Sequence, residues 1–425
     1  MTPSKPVASG ENAVTSRERY SYALGDTGFN FVWATIELYL LFYYVNIAGL
    51  SPGTAGAVFL AGAALDLCAD PLIGVLIDRH AKRFSARFWV VAATPALGVA
   101  LLFTFIPRGN DALPAIILTH LLLRLTYSLG NIPYAALTAR LTSDPIAQLR
   151  LTATRMQGAA IGGLIAAAIF ISLPLSYSWA GIPVGALCLA VLSQPFLLIS
   201  MARVRERVLP PSSPADESGR SVPGTIGWLL RDAQVLRLLL LIFVGGLAIT
   251  TLHKSLLFQF AALEDLETGY LLTLGPPLSL LLTAPVWSAL AGRAGMKAAL
   301  FVSALMFFAG LVAADLEGFV EALVAIGLMV SIIAGAGLSV LFWSLVPQTI
   351  SRIEPEAGTA LASSLFGAAN LSRKLAQAVA PQLIALSLLS DAVNIVRTEM
   401  LIGLVLIAIV FAWRSSNARA VPATD

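Results

Sequence analysis

Residues 66–83 read Asp66-Leu67-Cys68-Ala69-Asp70-Pro71-Leu72-Ile73-Gly74-Val75-Leu76-Ile77-Asp78-Arg79-His80-Ala81-Lys82-Arg83. Two carboxylates one helical turn apart interrupt an apolar run, and the run ends in a basic cluster. A helix needs about 20 apolar residues to cross a bilayer core of about 30 Å. A charge in mid-bilayer costs about 2.5–3.5 kcal/mol on insertion scales, so Asp66 and Asp70 must face protein rather than lipid. Basic clusters of this kind mark loops on the cytoplasmic side. The stretch predicts a membrane helix with an internal polar site and a cytoplasmic end.

The rest of the chain extends the pattern. Charged residues make up 12% of it and hydrophobic residues 57%, against about 25% charge in a soluble domain. Apolar runs predict twelve spans, at 20–48, 53–78, 86–106, 113–140, 151–173, 180–202, 228–259, 268–291, 298–314, 319–347, 359–388 and 393–413. Lys and Arg concentrate in alternate breaks: Lys5, Arg17 and Arg19 before the first span, Arg140 and Arg150 after the fourth, Arg203, Arg205 and Arg207 after the sixth. The intervening breaks are poor in base or carry acids, such as Glu264, Asp265 and Glu267. The expected division is a cytoplasmic segment at 1–19, a six-helix bundle at 20–202, a cytoplasmic linker at 203–227, a second bundle at 228–413 and a cytoplasmic tail at 414–425. The linker reading rests on Pro210, Pro211 and Pro214 among serines and charges. The first 18 residues are polar, so a cleavable signal peptide is not expected. Cys68 and Cys188 lie in apolar segments and are expected to be buried free thiols.

The two halves echo each other. Pro71, Gly74 and Arg79 recur as Pro285, Ser288 and Arg293, each 214 positions later. Pro133 and Pro347 share the same offset. A duplicated six-helix unit follows, the plan on which carriers rock one half against the other around a midplane site. The composition excludes other classes. No basic tract with interleaved aromatics suggests a nucleic-acid partner. No nucleotide-binding glycine motif or catalytic cluster suggests an enzyme, including a membrane glycosyltransferase.

The loop from Gly74 to Arg83 resembles the G-x-x-x-D-R-x-G-R-K pattern of the major facilitator superfamily, with Ala81 at the second glycine. Three further stretches narrow the resemblance. They are Tyr22 to Asn30, Asp66 to Gly74, and Asn131-Ile132-Pro133-Tyr134. Together they look like the glycoside–pentoside–hexuronide cation symporters, the melibiose permease family. In the second half Phe342, Trp343 and Lys374 fit the same pattern. The resemblance implies an all-α integral membrane fold of twelve helices in two pseudo-symmetric bundles. It implies symport of a sugar or sugar acid with H+ or Na+ by a monomer in the bacterial inner membrane, without a cofactor. It also implies that Asp66 and Asp70 hold the coupling cation, with Lys374 nearby. Gly74, Asp78 and Arg79 would form a cytoplasmic latch. Family acids that grip sugar hydroxyls on the first and fourth helices match Asn30 and Asn131, and a family arginine matches Arg155. An asparagine that can join the cation site is Ala69 here, which favours H+ over Na+.

Polar stripes support an internal cavity. Helical spacing of 3, 4 and 7 residues places Asp26, Asn30, Trp33 and Glu37 on one face. It does the same for His120, Arg124, Tyr127 and Asn131, and for Asn370, Lys374 and Gln377. Tyr127 and Trp343 offer stacking surfaces for a sugar ring. Arg124 is an addition to the family pattern and suits a carboxylate-bearing sugar as a bidentate clamp; internal pairing is the competing reading. Glu37 and Lys254 are expected to pair as a periplasmic gate. His120 and His253 are expected to be hydrogen-bonded helix contacts. Polar stripes weigh against a hydrophobic drug or lysolipid as cargo, and a transporter-like sensor remains a further alternative.

Overall fold

The computed structural model describes residues 13–106, 109–173, 178–179, 181–211, 222–262, 272, 274–315, 321–388 and 393–412. They are almost wholly helical. The first expected span is continuous: α1 (Ser16–Ala34), a π-helical turn (Thr35–Leu40) and α2 (Leu41–Asn46). Next come α3 (Pro52–Arg79), α4 (Ala86–Thr104), α5 (Leu113–Leu141), α6 (Pro145–Ser172) and α7 (Val184–Arg203). The later helices are α8 (Val222–Arg231), α9 (Ala233–Ala262), α10 (Gly275–Ala294), α11 (Met296–Ala314), α12 (Glu321–Ala357), α13 (Ala362–Leu388) and α14 (Val393–Ala412). Among the described residues, eight helices are long and apolar enough to cross a membrane: α3 to α7, α9, α11 and α12.

Helix starts follow local chemistry. Thr15, Ser51 and Ser85 accept hydrogen bonds at 3.2 Å from the N–H groups of Glu18, Thr54 and Phe88. Asp144 accepts from Ala147 at 3.0 Å. These side chains satisfy donors that the first helical turn leaves open. Pro52 and Pro145 follow two of the caps, where a missing N–H costs nothing.

Three features differ from the sequence reading. Helix α8 begins inside the expected linker, and a single residue, Asp232, separates it from α9. The Asp232 carboxylate accepts from the N–H groups of Gln234 and Val235 at 2.8 and 2.9 Å. Trp228, Leu229 and Leu230 made the two helices read as one apolar run. Helix α12 continues to Ala357, past its expected end at 347. Pro347 removes one helix hydrogen bond but does not stop a helix supported by its neighbours. Cys68 is exposed and Cys188 half-buried, both free, so the expected burial does not hold for Cys68. It lies on the outer face of α3, opposite Asp66 and Asp70.

The chain divides into two compact units, Met1–Ile226 with Pro347–Ala368, and Gly227–Val346 with Ala369–Asp425. In the first unit α1 packs against α6 and α7, α4 against α5 and α7, and α3 against α5. The α1–α6 crossing is close: a Cβ on Gly162 would lie 2.6 Å from the Thr27 carbonyl oxygen. Thr27 Oγ1 donates to the Gly158 carbonyl at 3.0 Å across the same seam. The start of α1 is tied down by Glu18, whose carboxylate accepts two bonds of 2.8 Å from Arg207. That hydrogen-bonded carboxylate raises the Arg207 pKa above its ordinary value. In the second unit α14 packs against α11 and α9, and α10 against α11. Trp287 donates to the Ile333 carbonyl at 3.2 Å and Ser303 to the Ala334 carbonyl at 2.7 Å.

Candidate functional site

Asp66 and Asp70 are buried in α3, 1% and 0% exposed. Their carboxylates meet α5 in register. Arg124 forms a hydrogen-bonded ion pair with Asp66, and Ser128 Oγ donates to Asp70 Oδ1 at 2.6 Å. Both helices step by four residues, so two rungs line up along one seam. The Arg124 guanidinium also lies 5.5 Å from the centre of the Trp33 ring of α1, a cation–π distance. One turn back on α5, His120 Nδ1 sits 3.1 Å from the Tyr44 hydroxyl, the helix contact expected of it. Its Nε2 is buried without a hydrogen-bond partner among the described residues.

A second charged knot joins α1 to α6. Arg155 Nε donates to Asp26 Oδ2 at 2.6 Å, and Nη1 donates to Thr138 of α5 at 3.2 Å. The rings of Tyr22 and Tyr134 flank the guanidinium at 5.6 and 5.0 Å. Each of these tyrosines donates its hydroxyl to the other's carbonyl oxygen at 2.6 Å. This arrangement satisfies a full ion pair and both phenols away from water, which buried charges require. Arg155 therefore links α1, α5 and α6 from inside the first unit.

An aromatic wall runs between the two knots. Tyr127 is 8% exposed, with its ring 5.2 Å from Trp33 and 5.7 Å from Phe29. Asn30, next to Phe29 on α1, and Asn131, one turn after Tyr127 on α5, are half-buried. Asn30 Nδ2 donates to the Asp26 carbonyl at 2.9 Å, which leaves its carbonyl oxygen to accept. Glu37 is exposed on the π-helical turn. Three predicted residues belong to the second unit: Lys254 is exposed on α9, Trp343 half-buried on α12 and Lys374 half-buried on α13. The Trp343 ring lies 5.7 Å from that of Phe342.

The end of α3 carries the predicted latch residues. Asp78 accepts from the N–H groups of Ser363 and Ser364, at 3.0 and 2.6 Å. These are open donors in the first turn of α13, where the helix dipole favours an anion. Gly74 lies against the Ser363 carbonyl, where a Cβ would clash with backbone. Arg79 is exposed. Beside them Arg140 of α5 makes two bonds of 2.6 Å to Glu354 of α12. Glu354 Oε1 also accepts from Leu361 and Ala362 N–H, at 2.8 and 3.0 Å.

Several of these partners went unread in the sequence. Ser128 had one available signal, its position four residues after Arg124. Arg140 and Glu354 had another, for they stand 214 positions apart, the offset of the repeat. Glu399 of α14 is fully buried and accepts from Ser255 of α9 at 2.5 Å; its available signal was its place as an acid inside the expected span 393–413.

Similarity to known proteins agrees with this architecture. The family described as MFS/sugar transport protein matches residues 21–392. The uncharacterized symporter YnaJ of Bacillus subtilis (strain 168) is 37% identical over 164 residues, 38% of this chain and 35% of YnaJ. The isoprimeverose transporter of Lactiplantibacillus pentosus is 27% identical over 213 residues, 47% of this chain and 43% of that protein. The chain thus spans less than half the length of these relatives. The crystal structure of the transporter FucP in its outward conformation superposes with a TM-score of 0.71. It does so at 12% identity, over 93% of this chain and 100% of FucP, a likeness of fold. The chain belongs to the MFS/sugar transport protein family, with the all-helical membrane fold of that superfamily.

Proposed function

We propose that the chain carries a sugar-like solute, a glycoside, pentoside or hexuronide, in symport with H+ or Na+ by alternating access. The observation that carries this reading is the buried pair Asp66 and Asp70, stacked one turn apart on α3 and held by α5. Arg124 sets one fixed positive charge against these two carboxylates, so one transported cation completes the charge balance of the seam. Arrival of that cation neutralises the seam, which is what coupling needs. Lys374 is assigned to the same step.

Relatives named for isoprimeverose, glucuronide and sulfoquinovose support a sugar or sugar acid as cargo. Asn30, Tyr127, Asn131 and Trp343 are assigned to the solute, with amides reading hydroxyls and rings stacking on the sugar face. Arg124 and Arg155 border that surface, and their ion pairs make them orienting groups. Glu37 and Lys254 are assigned to a periplasmic gate. Gly74, Asp78 and Arg79 are assigned to a cytoplasmic latch, to which Arg140 and Glu354 are added. We assign the protein to the bacterial inner membrane, as a monomer with both termini cytoplasmic.

The test is uptake by membrane vesicles under imposed H+ or Na+ gradients, with neutral sugars and uronates offered in parallel. Accumulation driven by one gradient, and lost in Asp70→Asn, is the expected result. No accumulation of any sugar under either gradient sinks the proposal.

A further inference from the structure

The ion pair at Asp66 has a consequence for which cation can drive transport. A Na+ bound between Asp66 and Asp70 would need the Asp66 oxygens as ligands, since hard monovalent ions take oxygen donors. Arg124 Nη2 already sits on Asp66 Oδ2. Both side chains are shielded, 10% and 1% exposed. A guanidinium keeps its charge at any physiological pH and has no acceptor atom. It is also tethered to α5, so it cannot be exchanged or carried across. The three positions between the two acids, Leu67, Cys68 and Ala69, add no amide. Trp33 covers the guanidinium at 5.5 Å and favours the cation in place.

We propose that Arg124 is the resident cation of this site: it holds the place on Asp66 that a transported Na+ would take, and makes the carrier indifferent to Na+. This rests on the symport reading above and narrows its coupling ion. Arg124 is then a specificity-determining residue, and its removal opens a Na+ site at Asp66.

The experiment is thermal unfolding of the purified full-length chain in lipid nanodiscs, in NaCl against choline chloride at equal ionic strength. A ligand that binds only the folded state raises the transition temperature. Wild type is expected to melt at one temperature in both salts, and so is Arg124→Lys. Arg124→Gln is expected to melt higher in NaCl than in choline chloride. A Na+-dependent rise in wild type overturns the proposal, and so does an Arg124→Gln protein that is blind to Na+. If Arg124→Gln does not fold, the wild-type arm still decides. The melts need no solute, which separates the two readings. Failed uptake under every gradient with melts as expected removes the symport reading and leaves Arg124 as the resident cation. Proton-driven uptake with a Na+-responsive wild type removes the Arg124 assignment alone.

Discussion

Asp26 and Arg155 form an ion pair in which only 7% of either side chain is exposed. Removing one partner of such a pair costs about 3–5 kcal/mol, because the other stays buried and uncompensated, whereas replacing both with apolar residues is often neutral. Asp26→Asn should therefore lower the thermal transition sharply, and the pair Asp26→Leu with Arg155→Met should recover most of the loss. Unfolding scans of the three proteins check this, and equal losses in the single and double variants count against it. Ser128→Ala should act on the other rung, where a hydrogen bond to a charged group is worth about 1.5–3 kcal/mol. The same scans read it. Asp26 was legible beforehand as an intramembrane acid on a polar stripe. Its partner was not. Arg155 lies 129 residues away, and which buried charge meets which depends on the order of helices around the bundle, which no local spacing encodes.

Among the elements, the α1–α6 crossing depends on Gly158 and Gly162, which let the backbones touch. A Cβ at Gly162 would press on the Thr27 carbonyl, while one at Gly163 meets nothing within 4 Å. Gly162→Val should cost about 1–3 kcal/mol as overpacking does, and Gly163→Val should be neutral. Folded yield and melting temperature of the two neighbours provide the comparison; equal behaviour argues against a backbone seam. Helix positions were readable because bilayer length and apolar content fix them together. Helix ends were harder. Asp232 alone parts α8 from α9, and two adjacent opposite charges, Arg231 and Asp232, do not break an apolar window. The π-helical turn at Thr35–Leu40 left no trace in composition, since one extra residue per turn changes backbone bonding without changing which residues are apolar.

For the molecule as a whole, the ends of α3, α5, α12 and α13 meet in one polar knot within the first unit. Arg140 and Glu354 are 5% and 6% exposed there. Glu354→Gln removes the carboxylate hydrogen-bonded to Arg140, and the knot should loosen. In a Cys68→Ser, Cys188→Ser background, a cysteine introduced by Ser363→Cys should then label faster with a membrane-impermeant maleimide than in the parent. Unchanged labelling speaks against a latch. The repeat was visible from three proline and arginine positions, yet it pointed at shape rather than at this bond. Arg140 and Glu354 occupy the same place in the two copies, 214 residues apart. In an assembly of two identical halves that place would set arginine against arginine, or glutamate against glutamate, and push the partners apart. A fused chain is free to write opposite letters in its two copies, and so can clasp itself there.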